Sequence, residues 1–186
     1  MEVPISKIIT ALLRCDAGDP KRIQHALKVY AFSKAIAEEE GIPRAERDIL
    51  ETAAVLHDIG IHESERKYGS SAGRYQELEG PPVARRILEP LGLPGGFIDR
   101  VCFLIGHHHT YNGISGMDYQ ILVEADFLVN LYEDGSSPET ARAAMERIFR
   151  TETGKRYLRD QFLSDHPAGD HPVGTVRQSE RKKPFA

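Results

Sequence analysis

The amino-acid sequence predicts an all-α protein that folds as a compact bundle of helices. Apolar residues recur at helical spacing, helix-start pairs such as Asp19-Pro20 and Ser137-Pro138 precede several of these segments, and no run alternates as a strand would. With 186 residues and 40% hydrophobic content, the chain is long enough for one sizeable core. We therefore predict a single domain over residues 1–163, followed by a polar, flexible tail over residues 164–186.

The composition argues against several classes of protein. The chain carries 24 Lys and Arg residues against 28 Asp and Glu residues, so it has no overall positive field to hold long nucleic acid. No stretch reaches the roughly 20 apolar residues that a membrane span needs, and the first residues lack the pattern of a secretory signal. Cys15 and Cys102 form no CxxC pair and are expected to be free thiols. We expect a cytoplasmic protein, and the sequence leaves a homo-oligomer open.

Two early helices carry the first polar residues of interest. One is predicted from Pro20 to Gly41, where proline suits the first helical position and glycine supplies the stop, and it carries His25. The next is predicted from Pro43 to Gly60 and has an apolar face. It places the pair His57-Asp58 at its last turn.

Less regular segments follow. The stretch KYGSSAGRYQELEG, residues 67–80, is rich in Gly and Ser and is predicted to be a loop. Pro81-Pro82 then begin a helix, so that Glu79 stands just before it. A further helix is predicted to stop at Gly106, and three imidazoles follow at once, those of His107, His108 and His109.

A helix predicted to begin at Asp118 carries Asp126 with apolar neighbours on nearly every face. A buried carboxylate is costly unless it is paired with a cation or a metal, or is protonated. His57-Asp58 follows an apolar run and meets the same constraint. Taken singly, Asp126 is explained by a salt bridge and His57 by a satisfied core histidine. Together with His25 they supply the nitrogen and oxygen ligands that suit Mn, Fe, Zn, Ni or Co.

The arrangement of His25, His57-Asp58 and Asp126 resembles the H…HD…D signature of the HD superfamily of metal-dependent phosphohydrolases. The resemblance covers roughly residues 20–150. It implies a helical bundle of the HD-domain type, with divalent metal ions held by the His and Asp side chains.

A closer similarity is to two-metal members, including the HD-GYP branch. There a further ligand follows the HD pair, and a His pair precedes the last Asp; here those positions read Glu79 and His107-His108. The similarity implies two ions bridged by Asp58, with three further ligands on each: His25, His57 and Asp126 on the first, and Glu79, His107 and His108 on the second.

The sequence also departs from the HD-GYP branch. Glu79 stands where a His is usual, HHHTYNGISG replaces HHE…GYP, and Ile61 takes the Lys position after HDIG. The cyclic-dinucleotide specificity of that branch is therefore not inherited. A one-metal site that uses only the four signature residues is an alternative. Because adjacent helical residues point about 100° apart, the choice among the three imidazoles is also open, and His109 is an alternative substrate contact.

The predicted Gly/Ser loop has the composition of a phosphate-binding segment. Ser70 and Ser71 are its expected substrate contacts, and Lys67 and Arg74 are the expected cations near the substrate. With Asp58, these two cations complete the expected catalytic groups. The alternative for this segment is a simple connector.

The resemblance implies hydrolysis of a phosphoester or phosphoanhydride in a small molecule, a nucleotide in the first instance, by metal-activated water. The sequence contains no Walker A loop, no GxSxG elbow and no Rossmann fingerprint that would indicate a kinase, an esterase or a dehydrogenase. The alternative function is a metal-containing regulatory or ligand-binding module without turnover.

Overall fold

The computed structural model describes residues 3–164, and within that range the chain consists of α-helices joined by turns, with no β-strand. In chain order the helices are α1 (Ile5–Cys15), α2 (Pro20–Glu39), α3 (Arg44–Leu56), α4 (Ile61–Tyr68), α5 (Gly73–Leu88), α6 (Gly95–Ile105), α7 (Met117–Glu133), α8 (Pro138–Ile148) and α9 (Glu152–Leu158). A 3₁₀ turn follows α5 at Glu89–Leu91, and a π-helical turn follows α9 at Arg159–Leu163. The predicted all-α fold class is confirmed.

The two cysteines are free thiols, as expected, with Cys102 buried and Cys15 exposed. None of the helices in the described part of the chain is long and apolar enough to cross a membrane. Apart from Ser164, the predicted tail over residues 164–186 lies outside the described residues. The single domain over residues 1–163 stays a prediction.

Helix α7 lies in the core of the bundle and buries polar as well as apolar side chains. It packs against α2, α3, α8 and α9, and its side chains from Tyr119 to Ala125 are all buried. Burial of a large apolar side chain contributes about 1.5–3 kcal/mol, so this helix is firmly held. The buried side chain of Asp126 is therefore held by a well-packed helix.

Helix α2 begins where the sequence predicts. The side chain of Asp19 accepts a hydrogen bond from the backbone nitrogen of Arg22 at 3.2 Å, which caps the helix. The helix ends at Glu39, and Gly41 follows with the left-handed φ of +70° that favours glycine. Since α2 packs against α3 and α7, it carries His25 to their common interface.

The pair His57-Asp58 lies in a tight turn between α3 and α4, and the prediction of one helix up to Gly60 was wrong in its end point. Helix α3 stops at Leu56, and α4 begins at Ile61. A Cβ atom on Gly60 would lie 2.5 Å from the backbone nitrogen of Gly80 in α5. Because glycine has no Cβ, α5 can cross directly over this turn at Gly60.

The predicted loop over residues 67–80 was also wrong. Helix α4 continues to Tyr68 and α5 begins at Gly73, so only residues 69–72 connect them. Pro81-Pro82 lie inside α5, where they leave two carbonyls without helical donors. The glycine that suggested a helix boundary, Gly80, is explained by close packing, since a Cβ there would lie 2.6 Å from Cγ2 of Ile105. Glu79 consequently lies within a helix and not before one.

Candidate metal centre

Polar side chains from separate elements meet at one end of the bundle interior. His25 comes from α2, His57 and Asp58 from the turn after α3, His108 from the turn after α6, and Asp126 from α7. His57 and His108 are fully buried, and the side chain of Asp58 keeps 18% of its surface exposed. The cluster is therefore closed on most sides and open to solvent at Asp58.

The imidazoles of His25 and His57 face each other through their Nε2 atoms, 3.1 Å apart. Nδ1 of His57 donates to the carbonyl oxygen of Ala54 at 2.9 Å, and Nδ1 of His25 lies 3.1 Å from Oε2 of Glu133. In a neutral imidazole the other nitrogen then carries a lone pair. Two lone pairs pointing at each other at this distance repel, so a proton or a metal ion is needed between them.

Asp126 completes this half of the cluster. Its Oδ1 lies 3.1 Å from Nε2 of His25 and 3.6 Å from Nε2 of His57. Nδ2 of Asn130, one turn later in α7, donates to the same oxygen at 2.9 Å and fixes its orientation. The salt bridge to Arg or Lys that the sequence offered as an alternative for Asp126 is not among its contacts in residues 3–164.

The two carboxylate oxygens of Asp58 face different partners. Oδ2 lies 3.6 Å from Nε2 of His25 and 3.6 Å from Nε2 of His57. Oδ1 lies 3.4 Å from Nε2 of His108, on the other side. One carboxylate thus lies between two groups of imidazoles, which is the arrangement of a bridging ligand.

His108 holds a buried nitrogen that the protein itself leaves unsatisfied. Its Nδ1 donates to the carbonyl oxygen of Ile105 at 2.8 Å, whereas its Nε2 has no hydrogen-bond partner in the described part of the chain. Buried polar atoms are normally paired. A lone pair directed towards Asp58 without a donor is what a metal ligand requires.

His109 lies beside His108, with ring centroids 3.9 Å apart. Its Nε2 is 3.3 Å from the side-chain oxygen of Gln76, and its backbone nitrogen donates to Glu77 at 3.1 Å. A Cβ on Gly73 would come within 2.8 Å of this ring, so the first residue of α5 must be small. These contacts position the ring of His109 beside His108 and within reach of Asp58.

The residues therefore form two groups that fit a metal ion, with ligand atoms within 4.8 Å of one another: His25, His57 and Asp58 in the first, and Asp58, His108 and His109 in the second. Asp126 adjoins the first group through His25. Imidazole with carboxylate suits Mn, Fe, Co, Ni and Zn. The orphaned nitrogen of His108 and the facing nitrogens of His25 and His57 are the observations on which this fit rests.

The charges of the cluster also favour a positive charge at its centre. Burial opposes the charged form of His25, but the hydrogen bond to Asp126 and the charge of Asp58 outweigh it and raise its pKa to about 9. Burial likewise raises the pKa of Asp126, and His25 and His57 more than reverse this and hold it well below its usual range. Burial and the neighbouring His108 lower the pKa of His109 to about 4, which keeps that ring neutral and able to act as a ligand.

Besides Asp126, which adjoins the first group, two of the seven predicted ligands lie outside both groups, Glu79 and His107. Glu79 is buried and bound by its neighbours, with Nζ of Lys67 at 2.5 Å and the hydroxyl of Tyr68 at 2.8 Å. His107 donates from Nδ1 to the carbonyl oxygen of Phe103 at 2.7 Å and stacks on that ring. The structure thus brings together His108 and His109, and not His107 and His108, beside Asp58.

A cavity of about 280 Å³ opens next to the cluster. It shares His25 and Asp58 with the metal groups, and its lining is polar except for Ile61. The remaining lining residues come from α2, α5, α7 and the short connection before α5: Asp19, Lys21, Arg22, Ser71, Gln76, Asn130 and Glu133. This cavity is the natural entrance for a small ligand.

Only one of the predicted loop contacts, Ser71, lies in the wall of this cavity. Lys67 is engaged with Glu79. Arg74 is exposed, donates to the hydroxyl of Tyr75 at 2.7 Å and lies over that ring. Ser70 accepts a hydrogen bond from the backbone of Ala72. Because α4 extends to Tyr68 and α5 begins eight residues before the predicted start at Pro81, most of the segment predicted as a phosphate loop is helix.

The sequence interpretation missed several residues that surround the cluster. Asn130 and Glu133 lie four and seven positions after Asp126 on α7, and Lys21 lies four positions before His25 on α2. Residues at these spacings share one helical face. Polar residues on the same face as a candidate ligand were therefore a usable signal.

Glu133 orients the imidazole of His25 by accepting a hydrogen bond from its Nδ1, so replacing Glu133 should lower metal affinity. Hydrogen bonds from Lys28 and His25 lower its pKa against the effect of burial, so it accepts the proton of Nδ1 as a carboxylate. Partners of this kind typically contribute 10–100-fold to metal affinity. We predict a loss of about 10-fold or more in metal affinity for Glu133→Gln, measured by competition with a chromogenic chelator. The control Asp134→Asn removes an exposed charge one residue later and should bind metal as the wild type does.

Comparisons with known proteins identify the family and agree with the fold. The family model of the HD domain matches residues 22–147, more than half of the chain. The fold is similar to the crystal structure of a predicted HD superfamily hydrolase from an uncultured Thermotogales bacterium, with a TM-score of 0.62, 23% identity and 83% of each chain covered. The comparison with curated proteins gave no match. The matches support the superfamily and not the HD-GYP branch in particular. The chain therefore belongs to the HD domain family.

Proposed function

We propose that the protein is a metal-dependent phosphohydrolase that cleaves a phosphoester or phosphoanhydride of a small molecule by metal-activated water. The observation that carries the proposal is the position of Asp58, whose two oxygens face two separate groups of imidazole nitrogens beside an open cavity. Its resemblance to the phosphohydrolases of the HD superfamily supplies the reaction class. Nucleotides are the first substrate class to test, and the free thiols are consistent with a reducing, cytoplasmic location.

We assign His25, His57 and Asp126 to one divalent ion and His108 and His109 to a second, with Asp58 shared. Two such ions supply a nucleophilic hydroxide at neutral pH and offset charge on the phosphoryl oxygens. Glu79 is not assigned as a ligand, because Lys67 and Tyr68 already occupy both of its oxygens. His107 is not assigned because its ring stacks on Phe103, outside both groups.

The surrounding residues fix the tautomer of three of the four imidazoles, those of His25, His57 and His108. Carbonyl oxygens of Ala54 and Ile105 accept the Nδ1 protons of His57 and His108, and Glu133 takes that of His25. Each Nε2 is then free to act as a ligand. Preorganisation of this kind removes the cost of rotating the rings when a metal binds.

The cavity limits the substrate. Its volume of about 280 Å³ is at the small end of ligand pockets. A phosphoryl group that enters it meets Asp58 at the open side of the cluster, while the buried faces of His57 and His108 exclude water from behind. The geometry favours a compact phosphorylated molecule over a long polymer.

Phosphate release from a panel of nucleoside mono-, di- and triphosphates and non-nucleotide phosphate esters tests the proposal. The assay is run with added Mn²⁺, Ni²⁺, Co²⁺ or Mg²⁺, with and without chelator. We expect release that one of the transition metals supports and the chelator abolishes. Tight metal binding without turnover of any compound would instead favour the regulatory module.

A further inference from the structure

The charged residues around the cavity are nearly all neutralised by neighbours. Arg22 is held by Oε1 of Glu65 at 2.6 Å and by Oδ2 of Asp19 at 3.1 Å. Glu133 is held by Nζ of Lys28 at 2.5 Å and by His25. Asp58 and His25 belong to the metal centre. Among the charged residues of the cavity wall, Lys21 is therefore the one without a neutralising partner in the described part of the chain.

Lys21 is exposed, and its ammonium makes no ion pair or hydrogen bond with any residue from 3 to 164. It lies in the first turn of α2, one turn before His25. Side chains four residues apart on a helix have Cβ atoms about 5–6 Å apart on the same face. Lys21, His25 and Asp58 also line the same cavity, so an anion bound at Lys21 would lie close to a phosphoryl group bound at His25 and Asp58.

We propose that Lys21 forms a second anion subsite, so that the substrate carries a second phosphate or a carboxylate close to the phosphate that is cleaved. The inference rests on the proposed phosphohydrolase function, because it assumes that the first phosphate occupies the metal centre. It narrows the substrate class to phosphoanhydrides, closely spaced bisphosphates and phosphorylated acids.

The rest of the cavity wall agrees with recognition by charge. No Phe or Tyr side chain lines it, and Ile61 is its one apolar member in the described part of the chain. Gln76 is engaged by Ser71 and His109, and the side-chain amide of Asn130 by Asp126. The wall thus offers a substrate no Phe or Tyr ring to stack on, but it does offer the positive charge of Lys21. Lys21 is assigned as a specificity-determining residue and takes no part in the chemical step.

Binding of non-hydrolysable ligands to the Mn²⁺-loaded protein tests the subsite by calorimetry. Methylenediphosphonate and phosphonoacetate carry a second anion, as a phosphonate or a carboxylate, and methylphosphonate carries none. For Lys21→Ala we expect both two-anion ligands, or the one whose second group matches, to lose up to about fivefold in affinity, the upper end of the range for an exposed ion pair. Methylphosphonate should bind unchanged. Lys21→Arg should retain the preference, and Lys7→Ala, an exposed lysine on α1, should leave all affinities unaltered.

Each outcome decides the proposal. A ratio of two-anion to one-anion affinity that is the same in Lys21→Ala and wild type overturns the subsite, even if the wild type prefers two anions, because the metal ions alone would then explain the preference. A ratio that falls for one ligand identifies the second group as a phosphate or a carboxylate. Lys21-dependent binding without phosphate release from any compound would keep the subsite and reject the hydrolase, whereas turnover with an unchanged ratio would do the reverse.

Discussion

Replacing Asp58 with alanine is expected to abolish metal-dependent phosphate release while the helical fold persists. Its two oxygens lie 3.6 Å from His25 and His57 on one side and 3.4 Å from His108 on the other, so its loss affects both proposed ions. Groups that merely support a metal ligand contribute 10–100-fold. Loss of a ligand shared by two ions should therefore lower kcat/KM by more than about 10²-fold.

The fold should survive this change because Asp58 lies in the turn between α3 and α4, lines the cavity and contributes no apolar side chain to the core. Circular dichroism of the variant should retain the helical signal of the wild type. Asp99→Ala is the matched control. Asp99 is an exposed carboxylate on α6, and its Oδ1 lies 2.5 Å from a guanidinium nitrogen of Arg85. A folded Asp58→Ala variant with wild-type turnover would exclude Asp58 from catalysis.

The largest expected effect on stability comes from Gly60→Ala. The added Cβ would lie 2.5 Å from the nitrogen and 2.8 Å from the Cα of Gly80, and 2.9 Å from the carbonyl oxygen of Gln76. All three are backbone atoms of α5, so relief requires that the helix move. Overpacking of this kind costs typically 1–3 kcal/mol, and we expect the upper part of that range, about 2–3 kcal/mol, in the free energy of unfolding.

Urea denaturation followed by circular dichroism measures this loss. Gly60 has a φ of −82°, which alanine adopts without strain, so the effect isolates the contact with α5. Gly96→Ala is the control, because a Cβ there meets nothing within 4 Å and the residue lies in α6. Gly96→Ala should be neutral or slightly stabilising through helix propensity. Equal stability of the two variants would contradict the close crossing of α5 over the turn.

The fold was predictable where the sequence carries local signals. Asp19 caps α2 and Ser137 caps α8, as their positions before proline indicated. The helix boundary predicted at Gly80 and Pro81-Pro82 was wrong, because these residues lie inside α5. Glycine and proline usually mark helix ends, but here a Cβ on Gly80 would lie 2.6 Å from Cγ2 of Ile105, a neighbour twenty-five residues away that a local pattern does not reveal.

The candidate site was predictable to a similar degree. The buried dipeptide His57-Asp58 and the isolated Asp126 identified the centre of the cluster, because a carboxylate among apolar residues demands a partner. The choice among the three consecutive histidines depended on the direction of the chain after α6. His107 turns back to Phe103, whereas His108 and His109 face Asp58. A run of identical residues carries no information on that direction.

The central claim is a two-ion centre bridged by Asp58. A crystal structure of the Mn²⁺-saturated protein, with anomalous diffraction collected at the manganese edge, tests it most directly. The account predicts two anomalous peaks per chain, one held by His25, His57 and Asp126 and one by His108 and His109, with a carboxylate oxygen of Asp58 on each. A single peak bound by His25, His57, Asp58 and Asp126, with His108 and His109 away from any metal, would contradict it.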